Sequence, residues 1–427
     1  MPVDFAFGKH GLRVDLPFGY DYQLLEARSA RPLSDAVSAV AAALDSPIDS
    51  DPLRVIARGK NSAAISVCDI TRPAPNRLVL PQVLHQLELG GIPRERVTVL
   101  IATGLHRPAT EAELEEILGP ELHGRIRVEN HHAKDLASHR YLGETSTGTP
   151  VYIDERFVAA DLHITLGFIE PHLMLGFSGG RKLIAPGLAA AETIKVLHSP
   201  KFMRDARAVE GSIADNPLHH ELLEIARLAR HDFMIDVALT RRREIAAVFA
   251  GQPEAAHRAG TDFVGRTMLE TIDAPADAVI TTAAGYPLDL TFYQTVKGIT
   301  AAAHVVRDGG RILILSECAE GAGAPEFQDL MRRFPSDREF LESIRHAPVT
   351  VDQWQLEKLA LVSSRKQIVY YTPGLPAEFR TRLWGLWVPS VETGLAALLE
   401  GLAPGARVIA IPEGPYVLAR VREPVAA

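Results

Sequence analysis

Four short polar clusters in this chain hold residue types that can move protons or grip anions. The first is Asp69-Ile70-Thr71-Arg72-Pro73-Ala74-Pro75-Asn76, which follows the apolar run AAISVC directly. Arg72 there could grip a carboxylate with two parallel N–H donors, or the stretch is a proline-stiffened turn with a solvent-facing Arg. The second is Thr103-Gly104-Leu105-His106-Arg107-Pro108, after VTVLIA. An imidazole titrates near neutrality, so His106 is suited to acid/base work; the bland alternative is a capping loop, with Thr110 and Glu113 forming a capping box. The third runs from Gly167 through Ile169-Glu170-Pro171-His172 to Gly176-Phe177-Ser178-Gly179-Gly180-Arg181-Lys182, and on to His198. Glycines at 176, 179 and 180 let the backbone approach a ligand closely, and Arg181 and Lys182 add positive charge. The fourth is Gly285-Tyr286-Pro287-Leu288-Asp289 followed by Tyr293-Gln294-Thr295-Val296-Lys297. Tyr293, Gln294 and Lys297 can share one face of a helix, either to bind an anion or as an ordinary solvated surface.

Two common readings of such clusters are disfavoured. The glycine-rich stretch is no nucleotide P-loop, because Arg181 interrupts it and Leu183 follows the lysine where the motif requires Gly-Lys-Ser/Thr. A dinucleotide fingerprint is also missing after the first strand, which weakens a simple NAD-linked dehydrogenase. His198 follows the helical pattern AAAETIKVL, and a His at a helix end commonly serves as a cap. His131, His132, His163, His219 and His220 read as structural or surface residues.

The elements that must carry these clusters alternate. Strand candidates are Ala63–Cys68, Val97–Ala102, Arg125–Glu129, Asp161–Leu166 and Phe233–Leu239, with helical patterns such as Leu80–Leu89, Glu111–Leu118 and Pro217–Leu228 between them. A second series starts near residue 275, with strands at Ala278–Thr282, Arg311–Leu315 and Gln367–Tyr371 and helices at Phe292–Val305 and Asp337–Arg345. Alternation of this kind predicts an α/β fold of two domains with largely parallel sheets. Ligands in such folds bind beyond the carboxyl ends of the strands, where the clusters stand.

Composition narrows the class. A net charge of −8 over 427 residues argues against nucleic acid as the main partner. Two cysteines, Cys68 and Cys318, make neither a disulfide framework nor a Cys-based zinc site, and both read as small buried residues. The first twenty residues lack a basic start followed by an apolar core, and no apolar stretch reaches membrane-spanning length. The expectation is a cytoplasmic enzyme with no membrane partner.

Taken together, DITRPAPN at 69–76, TGLHRP at 103–108, IEPHLMLGFSGGRKLIAPG at 169–187, His198 and GYPLDLTFYQTVKG at 285–298 resemble the nickel-dependent lactate racemase family. The resemblance implies a racemase or epimerase that inverts C2 of a small 2-hydroxy acid by reversible hydride transfer. It implies a nickel-pincer nucleotide, a pyridinium-3,5-dithiocarboxylic acid mononucleotide, as cofactor. Lys182 matches the lysine that can hold this group through a thioamide, and His198 the histidine that completes the nickel coordination. His106 and His172 match the acid/base pair. Arg72, Gln294 and Lys297 match substrate-binding groups, with Tyr293 and Trp354 lining the same site. Asp69, Gly179, Gly180 and Arg181 fall on the cofactor side. Proteins that synthesise and load the cofactor are implied partners. On this resemblance an N-terminal α/β domain over 1–270 carries the cofactor motifs, and a C-terminal α/β domain over 271–406 completes the substrate site in a cleft between them. Residues 407–427 either close the second sheet or rejoin the first domain.

The residue types suit that chemistry. A carboxylate stabilises a carbanion at C2 poorly, whereas removing hydride leaves a flat keto acid that can be reduced on either face. Two orientations of substrate then call for two bases. The competing readings are an NAD-linked 2-hydroxy acid dehydrogenase and a non-catalytic carrier of the nickel cofactor. Storage requires no acid/base pair, so His106 with His172 speaks against the carrier. The identity of the acid, among lactate, malate, 2-hydroxyglutarate, phenyllactate and sugar acids, is open at this level, with Arg77 and Arg107 as candidate partners for a second carboxylate.

Overall fold

The computed structural model describes residues 1–72 and 74–422; Pro73 of the first motif and residues 423–427 lie outside them. The chain divides into two compact units. An N-terminal unit comprises residues 29–198 and 205–267, and a C-terminal unit comprises 1–28, 199–204 and the chain from Met268 onward.

The N-terminal unit is built on a six-stranded sheet in the order Ile245–Gly251, Phe233–Leu239, Leu162–Phe168, Ala63–Cys68, Val97–Ala102, Arg127–Asn130. All neighbours run parallel except the first pair, which is antiparallel. Every residue of Ala63–Cys68, Leu162–Phe168 and Phe233–Leu239 is buried. This explains why their sequences read as continuous apolar runs, since strands covered on both faces need no polar alternation. Helix Asn76–Leu89 covers the sheet with Val79, Leu80, Val83, Leu84 and Leu87, a spacing that repeats with the helical turn. The capping box at Thr110 is formed: Glu113 N–H donates to the Thr110 hydroxyl at 3.4 Å and Thr110 N–H to the Glu113 carboxylate at 2.8 Å. It starts helix Glu111–Leu118 and thereby ends the loop that carries His106.

The C-terminal unit has its own six-stranded parallel sheet, in the order Leu386–Trp387, Gln367–Tyr371, Val306–Leu315, Ala276–Thr282, Arg407–Ile411, Asp21–Leu24. The Arg407–Ile411 run therefore belongs to this second sheet, and a strand from the beginning of the chain pairs with it. Helix Phe292–Ala303 packs Phe292, Val296, Ile299 and Ala302 into the core of this unit. The mixed α/β architecture with two large, mainly parallel sheets agrees with the sequence reading. No helix among the described residues is long and apolar enough to cross a membrane.

Candidate functional site

Three adjacent strands of the N-terminal unit, Val97–Ala102, Ala63–Cys68 and Leu162–Phe168, end on the same carboxyl edge. The segments that leave them hold His106, then Asp69 and Arg72, then His172. Sheet order alone therefore gathers residues that are a hundred positions apart in the chain.

Asp69 and His106 meet directly. The Asp69 carboxylate lies 2.6 Å from His106 Nδ1, and its other oxygen accepts from the Thr71 hydroxyl at 2.6 Å. The Asp69 side chain is 8% exposed and that of His106 55%. Burial pushes the Asp69 carboxyl up, but the His106 hydrogen bond and charge, the Thr71 hydroxyl and Arg72 outweigh it and hold the group below the ordinary value. A carboxylate only accepts, so His106 donates from Nδ1 and its Nε2 carries the lone pair. An acid that orients an imidazole in this way fixes its tautomer.

His172 has the opposite arrangement. It sits in a tight antiparallel pair, Pro171–His172 against Gly176–Phe177, and its Nδ1 faces the backbone N–H of Met174 at 3.4 Å and of Leu175 at 3.3 Å. Backbone N–H groups only donate, so neutral His172 carries its proton on Nε2. The turn requires Gly176: φ is +76° and a Cβ would come 1.8 Å from the Ser212 carbonyl oxygen.

Beyond this pair the chain bends through Ser178-Gly179-Gly180 into a short 3₁₀ turn, Gly180–Leu183. The Ser178 hydroxyl donates to the Phe168 carbonyl at 3.0 Å and accepts from Glu170 N–H at 3.0 Å. Arg181, assigned to the cofactor on resemblance, turns inward. Its Nη atoms donate to the carbonyls of Leu175, Phe177, Ser178 and Gly179. Lys182 is half-buried on the next position. Burial, followed by the nearby Arg72, brings its amine down to about 8, with Glu170, Cys68 and Asp69 pulling the other way. His198 ends helix Ala191–Leu197, and its Nδ1 donates to the Ile194 carbonyl at 2.8 Å. Burial lowers its pKa to about 4, and the Lys182 charge adds to this. His198 is thus neutral at pH 7 with its basic lone pair on Nε2, so the capping reading and a ligand role coexist.

These features fit the implied cofactor. A neutral imidazole with its tautomer fixed from behind is a suitable nickel donor, and an amine pushed toward neutrality is a better nucleophile for an acyl-type link. Among the described residues no group of three or more His, Cys, Asp or Glu is arranged to hold a metal.

The remaining expected residues stand in the C-terminal unit. Tyr293, Gln294 and Lys297 occupy the first turns of helix Phe292–Ala303. The Tyr293 ring meets Phe327 edge-on at 5.1 Å, and its carbonyl accepts from the Gln355 amide at 2.7 Å. The Oε1 atom of Gln294 is buried and has no hydrogen-bond partner, an acceptor left available for a donor such as a hydroxyl. Trp354 is buried in helix Gln353–Ser363, one residue before the Gln355 that bonds Tyr293. The loop before the helix is pinned by Asp289, whose carboxylate accepts from Gly8 N–H at 2.6 Å and Glu317 N–H at 3.3 Å.

The sequence reading did not single out Asp236, a fully buried acid beneath the glycine turn. A signal was present, since Asp236 is the one charge within the apolar strand FMIDVAL, and a buried charge is costly unless it is used. Glu170 lies within a recognised motif but was given no role.

Residues 7–211 match the family model of the lactate racemase N-terminal domain, and residues 271–419 that of the C-terminal domain. The chain is 33% identical to the lactate racemase of Lactiplantibacillus plantarum, over 88% of this chain and 89% of that protein. It is 32% identical to the lactate racemase of Thermoanaerobacterium thermosaccharolyticum, over 98% and 99%. The solved structure of the lactate racemase apoprotein from Thermoanaerobacterium thermosaccharolyticum superposes with a TM-score of 0.91 at 30% identity, covering 99% of this chain and 100% of that one. The carboxyl-edge arrangement, both family domains and near full-length relatives agree: the chain is an enzyme of the isomerase class and belongs to the lactate racemase family.

Proposed function

We propose that this enzyme racemises lactate with a nickel-pincer nucleotide held by Lys182 and His198, and with His106 and His172 as the acid/base pair. The observation that carries the reading is the opposite tautomeric bias of the two imidazoles on one sheet edge. Asp69 leaves His106 with a lone pair on Nε2, ready to take the hydroxyl proton. The backbone donors at His172 keep its proton on Nε2, ready to be given to the carbonyl oxygen of the keto acid. When bound, the cofactor supplies an electrophilic ring carbon that takes hydride from C2 and returns it. The protein's work is then to deprotonate the hydroxyl, retain the flat keto acid while it turns, and protonate the oxygen in its new orientation. The roles of the two imidazoles exchange when the opposite antipode is the substrate. Arg72 and Lys297 are the proposed partners of the substrate carboxylate, Gln294 and Tyr293 those of its oxygen atoms, and Trp354 is the proposed wall. Gly179 and Gly180, expected on the cofactor side, instead clear the buried interior behind the turn, where a Cβ would meet Asp236 or Met234, and so act on the cofactor only through the turn that carries Lys182. Cofactor-synthesis proteins load the site.

A short monocarboxylate is favoured over a dicarboxylate. Arg107 closes on Glu113 through two donors at 2.7 and 2.6 Å. Arg77 caps helix Glu111–Leu118, donating to the carbonyl of Glu116 at 2.7 Å. Both candidates for a second carboxylate are thereby engaged elsewhere.

The test is chiral analysis of the cofactor-loaded enzyme with lactate, malate, 2-hydroxyglutarate and phenyllactate, NAD being absent. Either lactate antipode should relax to an equal mixture, fastest of the panel. No interconversion of any acid by fully loaded protein would refute the racemase reading, and formation of NADH only when NAD is supplied would establish the dehydrogenase alternative.

A further inference from the structure

We propose that Asp236 is a positioning residue that aims Lys182, acting through the backbone of Gly180. This rests on the reading of Lys182 as the cofactor-holding lysine.

Asp236 stands in the middle of strand Phe233–Leu239, opposite Gly167 of the neighbouring strand. Its carboxylate is wholly buried and accepts from Gly180 N–H at 2.7 Å. Two glycines clear space for it, and a third clears space for its neighbour Met234. A Cβ on Gly179 would lie 2.2 Å from the Asp236 carboxylate, and one on Gly167 would lie 3.1 Å from it. One on Gly180 would lie 2.9 Å from Met234 Sδ. Gly179 and Gly180 also have φ of +85° and +45°, a region that residues with a side chain rarely adopt.

The same turn is held by a buried cation. The Arg181 side chain is 2% exposed, its Nη atoms donate to four carbonyls of residues 175–179, and Nη1 lies 2.6 Å from His257 Nε2. Asp236 and Arg181 thus grip one short turn through its N–H and its carbonyls. Burial pushes Asp236 up to about 7 and Arg181 down to about 9, each partly relieved by attraction to the other. Apolar packing could hold an ordinary turn at less cost than two buried charges. What the charges add is direction. With Arg181 locked inward, the next residue of a 3₁₀ turn projects about 120° away. Lys182 is then delivered among Arg72, Glu170, Cys68 and Asp69, the groups on the carboxyl edge.

The experiment compares the wild type with Asp236→Ala and Asp236→Asn. Amide hydrogen exchange is followed in the chain without cofactor, and steady-state kinetics in the loaded enzyme. Losing a charge-assisted bond should speed exchange at Gly180–Lys182 by about 10- to 100-fold in Asp236→Ala. Asp236→Asn, which keeps a neutral acceptor, should recover part of this and show roughly 3- to 10-fold. Strands Leu162–Phe168 and Ala63–Cys68 should exchange as in the wild type. In the loaded enzyme kcat should fall about 10-fold while KM for lactate stays within about twofold, because the substrate-holding groups are untouched. If Asp236→Ala fails to fold, Asp236→Asn carries the test on the same readouts. Unchanged exchange at the turn, or equal acceleration across the whole sheet, would overturn the proposal. If the turn responds as expected but loaded wild-type enzyme does not interconvert lactate antipodes, the functional reading falls and the anchoring of the turn stands.

Discussion

Replacing Asp69 by Asn tests the acid/base reading most directly. The substitution preserves shape and removes one charge from a side chain that is 8% exposed. Its immediate cost is the 2.6 Å bond to His106, a charge-assisted contact worth about 1.5–3 kcal/mol, or roughly 10- to 150-fold in rate. The loss grows if the new amide donates toward Nδ1, because the proton then moves to Nε2 and the lone pair faces away from substrate. A tautomer reversal of this kind has cost about 10⁴-fold in a serine protease triad. The expected fall in kcat/KM therefore lies between about 10-fold and 10⁴-fold. Lactate antipodes have equal free energy, so kcat/KM must fall by the same factor starting from either one. The assay is initial rates from each pure antipode at matched cofactor occupancy, measured by the cofactor's absorbance. A loss below about threefold at full occupancy would refute the orienting role of Asp69. The acidity of the pair adds a second check. Because the Asp69 pKa is depressed in the folded state, its stabilisation is present above the unfolded value of about 3.9 and is lost as pH falls toward the folded value. In the wild type, no activity loss from Asp69 protonation should occur above about pH 4.

Three further outcomes are expected. His131 and His219 are 1% and 6% exposed, and burial lowers each to about 3. The unfolded chain binds their protons below about pH 6.5, so each should remove up to about 1.4 kcal/mol of stability per pH unit as pH falls from there. Thermal melts between pH 4 and 8 will show this, and a flat profile would contradict it. Gly176→Ala places a methyl group 1.8 Å from the Ser212 carbonyl oxygen at φ +76°; a loss of at least about 2 kcal/mol in urea unfolding is expected, and a smaller one would mean that the His172 turn is readily deformed. The double variant Arg77→Ala, Arg107→Ala should keep lactate turnover within about twofold, since both guanidiniums are engaged at helix Glu111–Leu118; a large rise in KM would bring them back as carboxylate binders.

Legibility varied with the kind of residue. The buried strands were readable because they are covered on both faces, so Ala63–Cys68 and Phe233–Leu239 appear as continuous apolar runs. The strand expected over Asp161–Leu166 runs from Leu162 to Phe168, two residues further at its end, because Gly167 and Phe168 continue the ladder with Asp236 and Val237. Strand Asp21–Leu24 was not read from the sequence: its pattern is partly exposed and its partner, Arg407–Ile411, lies nearly four hundred positions away. The candidate site was readable at its polar loops, where chemistry leaves unusual residues, and unreadable where a role depends on direction. No spacing rule distinguishes Arg181, which faces the interior, from Lys182 beside it. Nor could the sequence pair Asp69 with His106, since that contact depends on two strands lying side by side.

The pairing of Asp21–Leu24 with Arg407–Ile411 has a consequence for how the protein is made. During synthesis the segment that ends at Arg28 emerges early, yet its edge partner leaves the ribosome only after residues 29–406 have been translated. Residues 29–198 with 205–267 can condense in the meantime around their own sheet. The early strand must wait, with its hydrogen-bonding edge unmet, and chaperone cover over that interval would favour a clean finish.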